Sequence, residues 1–272
     1  MSGYEEIIHV RNMETGEERA LAEHIAPATV GAPVWFPDGR SLLVLGMPQE
    51  RSGGLDWGDV PSVVYRVSLE TGEAQPLFEI PPNDDWWSRI RIIPTADGQG
   101  VVYSQEGRLV RRDLDSGREV ELYRDPELAT AIICLSPDGS ELVFGVNDPA
   151  HPTPYVDARL HEGGKLMIMP SNGGDARELF KLDGSGRAGG LWWRPDGSTI
   201  FFAVRGDNST TFQRVNRGGG EVERLQEVRG RPAGFALSPD GRRIAYWIQE
   251  NEAEIWVMEN LVAALRESVA GR

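Results

Sequence analysis

Cysteine is nearly absent from this 272-residue chain, where Cys134 stands alone. An intrachain disulfide is excluded, so the fold does not depend on an oxidising compartment. The surrounding Ala131-Ile-Ile-Cys-Leu-Ser136 is apolar and strand-like. That setting predicts a buried, inert thiol and not a nucleophile. Lysine is almost as scarce, with only Lys165 and Lys181. Positive charge as a whole is short: 28 Lys plus Arg face 42 Asp plus Glu, leaving a net charge of −14. A surface of that sign repels phosphate backbones and anionic lipids, which argues against nucleic acid and membrane adsorption. Long hydrophobic runs are also missing, so membrane insertion is not expected. The start, Met1-Ser-Gly-Tyr-Glu-Glu6, lacks the basic-then-apolar order of a secretory leader. The expected location is cytoplasmic for the sequence as written. It is periplasmic, or within a larger protein, if an N-terminal segment has been removed.

Recognised catalytic signatures are missing too. There is no Gly-x-Ser-x-Gly elbow, no His-Glu-x-x-His and no phosphate-binding loop. No histidine is paired in sequence with a credible nucleophile.

What the chain does have is turns and short apolar runs. Gly 32 and Pro 18 are high counts, and 40% of residues are hydrophobic. Many turns and a sizeable core are therefore both available. Five stretches repeat one pattern: an apolar run, a Pro-Asp-Gly turn, and a second apolar run. Their Asp residues are Asp38, Asp97, Asp138, Asp196 and Asp240, spaced by 59, 41, 58 and 44 residues. The second copy departs from the pattern as Thr95-Ala-Asp-Gly98. Asp bonds its own backbone and glycine accepts positive φ, so each turn reads as a tight hairpin. A second hairpin follows each of the first four around Thr71-Gly72, Ser116-Gly117, Asn172-Gly173 and Gly218-Gly219. Four antiparallel strands per unit, at a period of about 40 to 45 residues, is the signature of a β-propeller blade. One such sheet cannot bury both faces alone, so the units must stack.

The repeated Ser/Phe/Arg-Pro-Asp-Gly turn resembles the WD40-like Pro-Asp (PD40) repeats of the TolB family. The ending Glu254-Ile-Trp-Val-Met-Glu-Asn-Leu261 is similar to the last strand of bacterial TolB-like domains. Related propellers occur in the prolyl oligopeptidase, dipeptidyl peptidase and tricorn families, where catalysis belongs to another domain. The resemblance implies an all-β repeat protein of bacterial type, and leaves activity open.

The expected organisation is a single propeller over 1–272 with blades near 31–79, 88–123, 131–180, 189–226 and 233–258. One or two closing strands come from 5–23, and a short C-terminal helix spans 259–268. Five blades are favoured; six with an incomplete blade is the alternative. Trp35, Trp192 and Trp193 fall in strands and read as core.

Three long segments, 46–61, 80–87 and 146–164, should emerge on one face, because loops alternate faces along a propeller. That face carries Trp57, Trp86 and Trp87 beside Asp56, Asp59, Asp84 and Asp85, with Tyr155 in the third segment. Tryptophan beside polar groups anchors peptides and sugar rings. The plainer alternative is that each ring packs onto its own loop. His151 and His161 share the third segment with Asp148 and Asp157, a donor set suited to a divalent metal but matching no recognised motif. The reading is a non-enzymatic binding or scaffold propeller for a protein, a peptide or a small glycan, needing no cofactor. The alternative is a propeller enzyme, a metal-assisted polysaccharide lyase or hydrolase.

Overall fold

A computed structural model describes residues 8–11, 15–27, 33–48, 61–81, 91–150, 159–184, 186–229, 232–237 and 244–248. Among these residues there are 21 strands and no helix. The expected helix at 259–268, the outer strand near 254–258 and the turn at Asp240 lie outside the described residues.

The strands form a series of antiparallel sheets in chain order. The first, β1 (Ile8–Arg11) and β2 (Glu18–Leu21), is a simple pair. Blade one follows with β5 (Ser41–Pro48), β6 (Ser62–Ser68) and β7 (Ala74–Ile80). Its innermost strand comes in two pieces, β3 (Ile25–Pro27) and β4 (Val34–Trp35), both paired with β5. The blade thus starts at Ile25, six residues before the expected 31. Blade two is β8 (Ile92–Pro94), β9 (Gly100–Gln105), β10 (Arg108–Asp113) and β11 (Glu119–Arg124). Blade three is β12 (Leu128–Leu135), β13 (Glu141–Val146), β14 (Lys165–Pro170) and β15 (Arg177–Lys181). Blade four is β16 (Arg187–Trp193), β17 (Thr199–Arg205), β18 (Ser209–Asn216) and β19 (Glu223–Arg229). A last pair, β20 (Pro232–Leu237) and β21 (Ile244–Ile248), follows.

The hairpin joining the two inner strands is built the same way in four blades. Gly39, Gly98, Gly139 and Gly197 have φ between +64° and +70°, a region costly for any residue with a Cβ. The Asp before each glycine accepts a hydrogen bond from the backbone N–H two residues on: Arg40, Gln99, Ser140 and Ser198. The carboxylate thus does for the turn what a backbone carbonyl would otherwise do.

Strand parity decides which neighbour each side chain meets. In blade one, Val34 pairs with Leu43 and Trp35 with Leu42. Leu43 and Leu45 pack forward against Ile92, Val101 and Tyr103 of blade two. Leu42 and Val44 pack backward against Ile8 and Leu21 of the β1–β2 sheet and the adjoining Ala22. The seam between blades two and three joins Ile93 and Val102 to Ile133 and Phe144. The seam between three and four joins Val143 and Phe180 to Trp193 and Phe202. The core is therefore a row of inter-blade seams, as stacked sheets require. Trp193 is buried in it, and Trp192 is only half-buried. Trp35 departs from the core expectation with 53% of its surface exposed. It lies on the backward face of blade one, paired with Leu42 of β5.

Candidate binding site

Most of the predicted binding face lies outside the described residues: Trp57, Trp86, Trp87, Asp56, Asp59, Asp84, Asp85 and Tyr155, together with His151 and Asp157. Asp148 and His161 are described. Asp148 lies 3.8 Å from Lys181 Nζ and accepts a hydrogen bond from the Ala150 N–H. His161 is 7% exposed at the base of the third long segment, where its backbone N–H donates to Asn147 Oδ1 at 2.8 Å. The adjoining Leu160 exchanges two backbone hydrogen bonds with Ala188 of β16. This base stitches blade three to blade four. Among the described residues no group of three or more His, Cys, Asp or Glu side chains is placed to hold a metal.

Cys134 packs against the seam of blades three and four. Its apolar surroundings push the thiol up to about 11, which keeps it protonated and unreactive at neutral pH.

A cavity of about 530 Å³ opens where blades one and two meet, at the Pro-Asp-Gly end of the strands. Phe36, Leu77 and Leu114 form its apolar part; Asp38, Arg66, Gln75, Asp97, Gln99 and Asp115 form its polar part. A shallower depression of about 370 Å³ adjoins it and shares Asp38, Arg66 and Gln75. The geometry centres on one ion pair. Arg66 Nη2 donates to Asp38 Oδ2 at 2.7 Å and Nε donates to Ser41 Oγ at 3.0 Å. The guanidinium lies 4.5 Å from the ring centre of Phe36, a favourable cation–π placement.

This groove was not legible from the motif alone, but the signal was present. Two positions before the Asp, blades two and three carry Thr95 and Ser136, whose hydroxyls cap their own Asp97 and Asp138. Blade one carries Phe36 at that position and has no such cap. Asp38 recruits Ser41 and Arg66 instead. The neighbouring turns also separate here. At Gly98 the nearest atom to an added Cβ is Pro37 Cδ at 3.9 Å, whereas Gly139 sits directly on Ala96 at the next seam.

Two carboxylates of the groove, Asp38 and Asp97, are held ionised. The Arg40 N–H, with Arg66 and Ser41, pulls Asp38 down to about 2. The Thr95 hydroxyl and the Gln99 N–H lower Asp97. Neither can serve as a proton donor at neutral pH; both serve as fixed acceptors. The linkage has a definite sign. A carboxylate with a depressed folded pKa stabilises the fold above its ordinary value of 3.8, and that stability is lost as pH falls toward the folded value. Replacing Asp38 with Asn should lower the melting temperature at neutral pH. It should also shrink the further drop between about pH 4 and about pH 2. A thermal-melt series against pH checks this, and an unchanged acid slope would refute it.

No protein-family model matches the sequence. An uncharacterized protein of Agrobacterium fabrum is 28% identical over 201 residues, covering 71% of this chain and 56% of the relative. The chain thus spans little more than half the length of that curated relative. TolB from Acinetobacter baumannii superposes with a TM-score of 0.53 at 18% identity, over 79% of this chain and 50% of TolB. Hydrazine synthase of Kuenenia stuttgartiensis gives 0.56 at 17% identity, over 88% and 67%. A chain of the nidogen/laminin complex gives 0.58 at 14% identity, over 86% and 77%. These likenesses are of fold alone. With the sheet architecture they establish an all-β, propeller-type chain built from four-stranded antiparallel blades.

Proposed function

We propose that the chain is a TolB-like PD40 propeller that works as a non-enzymatic recognition scaffold, binding a protein or peptide through its loop-rich face. One observation carries this reading. The strand ends that flank the three long segments fall at the same end of their sheets. They are Pro48 and Ser62 in blade one, Val146 and Lys165 in blade three, and Ile80 and Ile92 between blades one and two. Long segments gathered at one rim of a rigid scaffold suit recognition. Their sequences supply Trp57, Trp86 and Trp87 with four Asp residues, the composition of a contact anchor with a polar rim. A fold neighbour from a protein complex, nidogen/laminin, is consistent with it.

The scaffold in this proposal has five blades. The β1–β2 sheet supplies the outer strands of the fifth, and β20–β21 supplies the inner ones. The exposed Trp35 supports this, because it faces the position those inner strands would fill.

The test is affinity capture from lysate with the wild-type chain and a Trp86→Ala/Trp87→Ala variant as parallel baits. The expected result is a protein enriched by the wild type and lost from the variant, with an unchanged far-UV spectrum. Equal enrichment by both baits, or none by the wild type, would overturn the proposed face.

A further inference from the structure

The groove at the seam of blades one and two lies at the opposite end of the strands from the long segments, so it is independent of the recognition face just proposed. Its volume, about 530 Å³ with a contiguous depression of about 370 Å³, falls within the range of small-molecule sites, about 300–1,000 Å³. At the seam of blades two and three the corresponding turns touch instead, Gly139 against Ala96.

The rim keeps hydrogen-bonding groups to spare. Arg66 uses Nε and Nη2 on Ser41 and Asp38, which leaves Nη1. Among the described residues the side chains of Gln75, Gln99 and Asp115 make no hydrogen bond. The free set therefore holds donors and acceptors together: one guanidinium nitrogen, two amides and one carboxylate. The charges of the groove repel a simple anion and, among the described residues, leave a cation only one unpaired carboxylate, Asp115. An anion entering the groove would face Asp38, Asp97 and Asp115. A cation would face Arg66, and two of those three carboxylates already have partners, Asp38 with Arg66 at 2.7 Å and Asp97 with Arg111 at 3.6 Å.

A neutral hydroxyl meets both demands, since it donates and accepts in one group. Adjacent hydroxyls on a ring match the planar, two-atom ends of Gln, Asp and Arg. The C–H face of such a ring has Leu77 and Leu114 to rest on. We propose that this groove binds a neutral, hydroxyl-rich ligand of the mono- or disaccharide class. Gln75, Gln99 and Asp115 are exposed, so the expected affinity is weak, roughly millimolar.

The test is saturation-transfer NMR on the full chain with cellobiose, maltose and N,N′-diacetylchitobiose as neutral probes, and spermidine and digalacturonate as charged ones. Transfer to at least one neutral disaccharide is expected at millimolar concentration, with none to the charged probes. A Gln75→Ala/Gln99→Ala variant should weaken that binding by at least ~10-fold, the loss of about two hydrogen bonds, at an unchanged melting temperature. The Trp86→Ala/Trp87→Ala variant should bind the sugar as the wild type does. No transfer to any neutral probe would overturn the proposal. So would transfer that survives the glutamine double variant, and so would spermidine binding in place of sugar, which would assign the groove to a basic partner.

Discussion

Replacing Phe202 with Ala should cost about 3–5 kcal/mol of unfolding free energy, the usual loss for a buried phenylalanine. The ring is 1% exposed and stacks on Phe180 at 4.7 Å between centres, with planes 17° apart. Phe202 comes from β17 and Phe180 from β15, so the contact crosses from blade four to blade three. The deletion removes both the transfer energy of the ring and the packing of the largest seam described, which also holds Trp193, Ile200 and Val215. Total stabilities of about 5–15 kcal/mol are typical, so this one change threatens the whole fold. Denaturant titration reads the effect as a lower midpoint with an unchanged slope. Phe202→Leu should recover much of the loss. A cost below about 1 kcal/mol for the alanine variant would mean that the two blades are not held by this seam.

Gly139→Ala should be far more damaging than Gly197→Ala, although the two glycines occupy the same place in their turns. Both have positive φ, +69° and +70°, and an L-residue there costs about 1–2 kcal/mol. For Gly197 that is the whole cost, because a Cβ would meet nothing within 4 Å. For Gly139 the added methyl would coincide with the Ala96 side chain on the adjacent turn. Overpacking of this kind adds about 1–3 kcal/mol. The turn of blade three would have to lift off that of blade two. Equilibrium unfolding of the two variants isolates the turn-on-turn contact by difference, and equal losses would refute it.

The repeat was readable because its chemistry is local. An Asp that bonds the N–H two residues on and a glycine at positive φ are fixed within four residues, so Asp38, Asp97, Asp138 and Asp196 announced their hairpins. The second hairpins were equally plain, around Gly72, Gly117 and Gly173. Matters set by distant partners were not readable. Trp35 looks like core in its own run, yet its exposure depends on what stands behind blade one. The split of the first inner strand into β3 and β4 could not be told from composition. The groove needed two facts from different blades: that Phe36 leaves Asp38 to Arg66, and that Pro37 and Gly98 stand apart where Ala96 and Gly139 touch. His161, an expected metal donor, owes its buried place to Leu160 bridging to Ala188, a contact 28 residues away in sequence.

The alternation of forward-facing and backward-facing side chains makes each blade a polar building block, with a front unlike its back. Fronts meet only backs, as Leu43 and Leu45 meet Ile92, and as Phe180 meets Phe202. Such a heterologous contact has no built-in stopping point except geometric closure. Insertion or deletion of one complete block therefore preserves every contact type, whereas a change of one or two strands brings unlike surfaces together. The unit in which a gene for this architecture can grow or shrink is the span from one turn aspartate to the next. Between Asp97 and Asp138, where no insertion intervenes, that span is 41 residues.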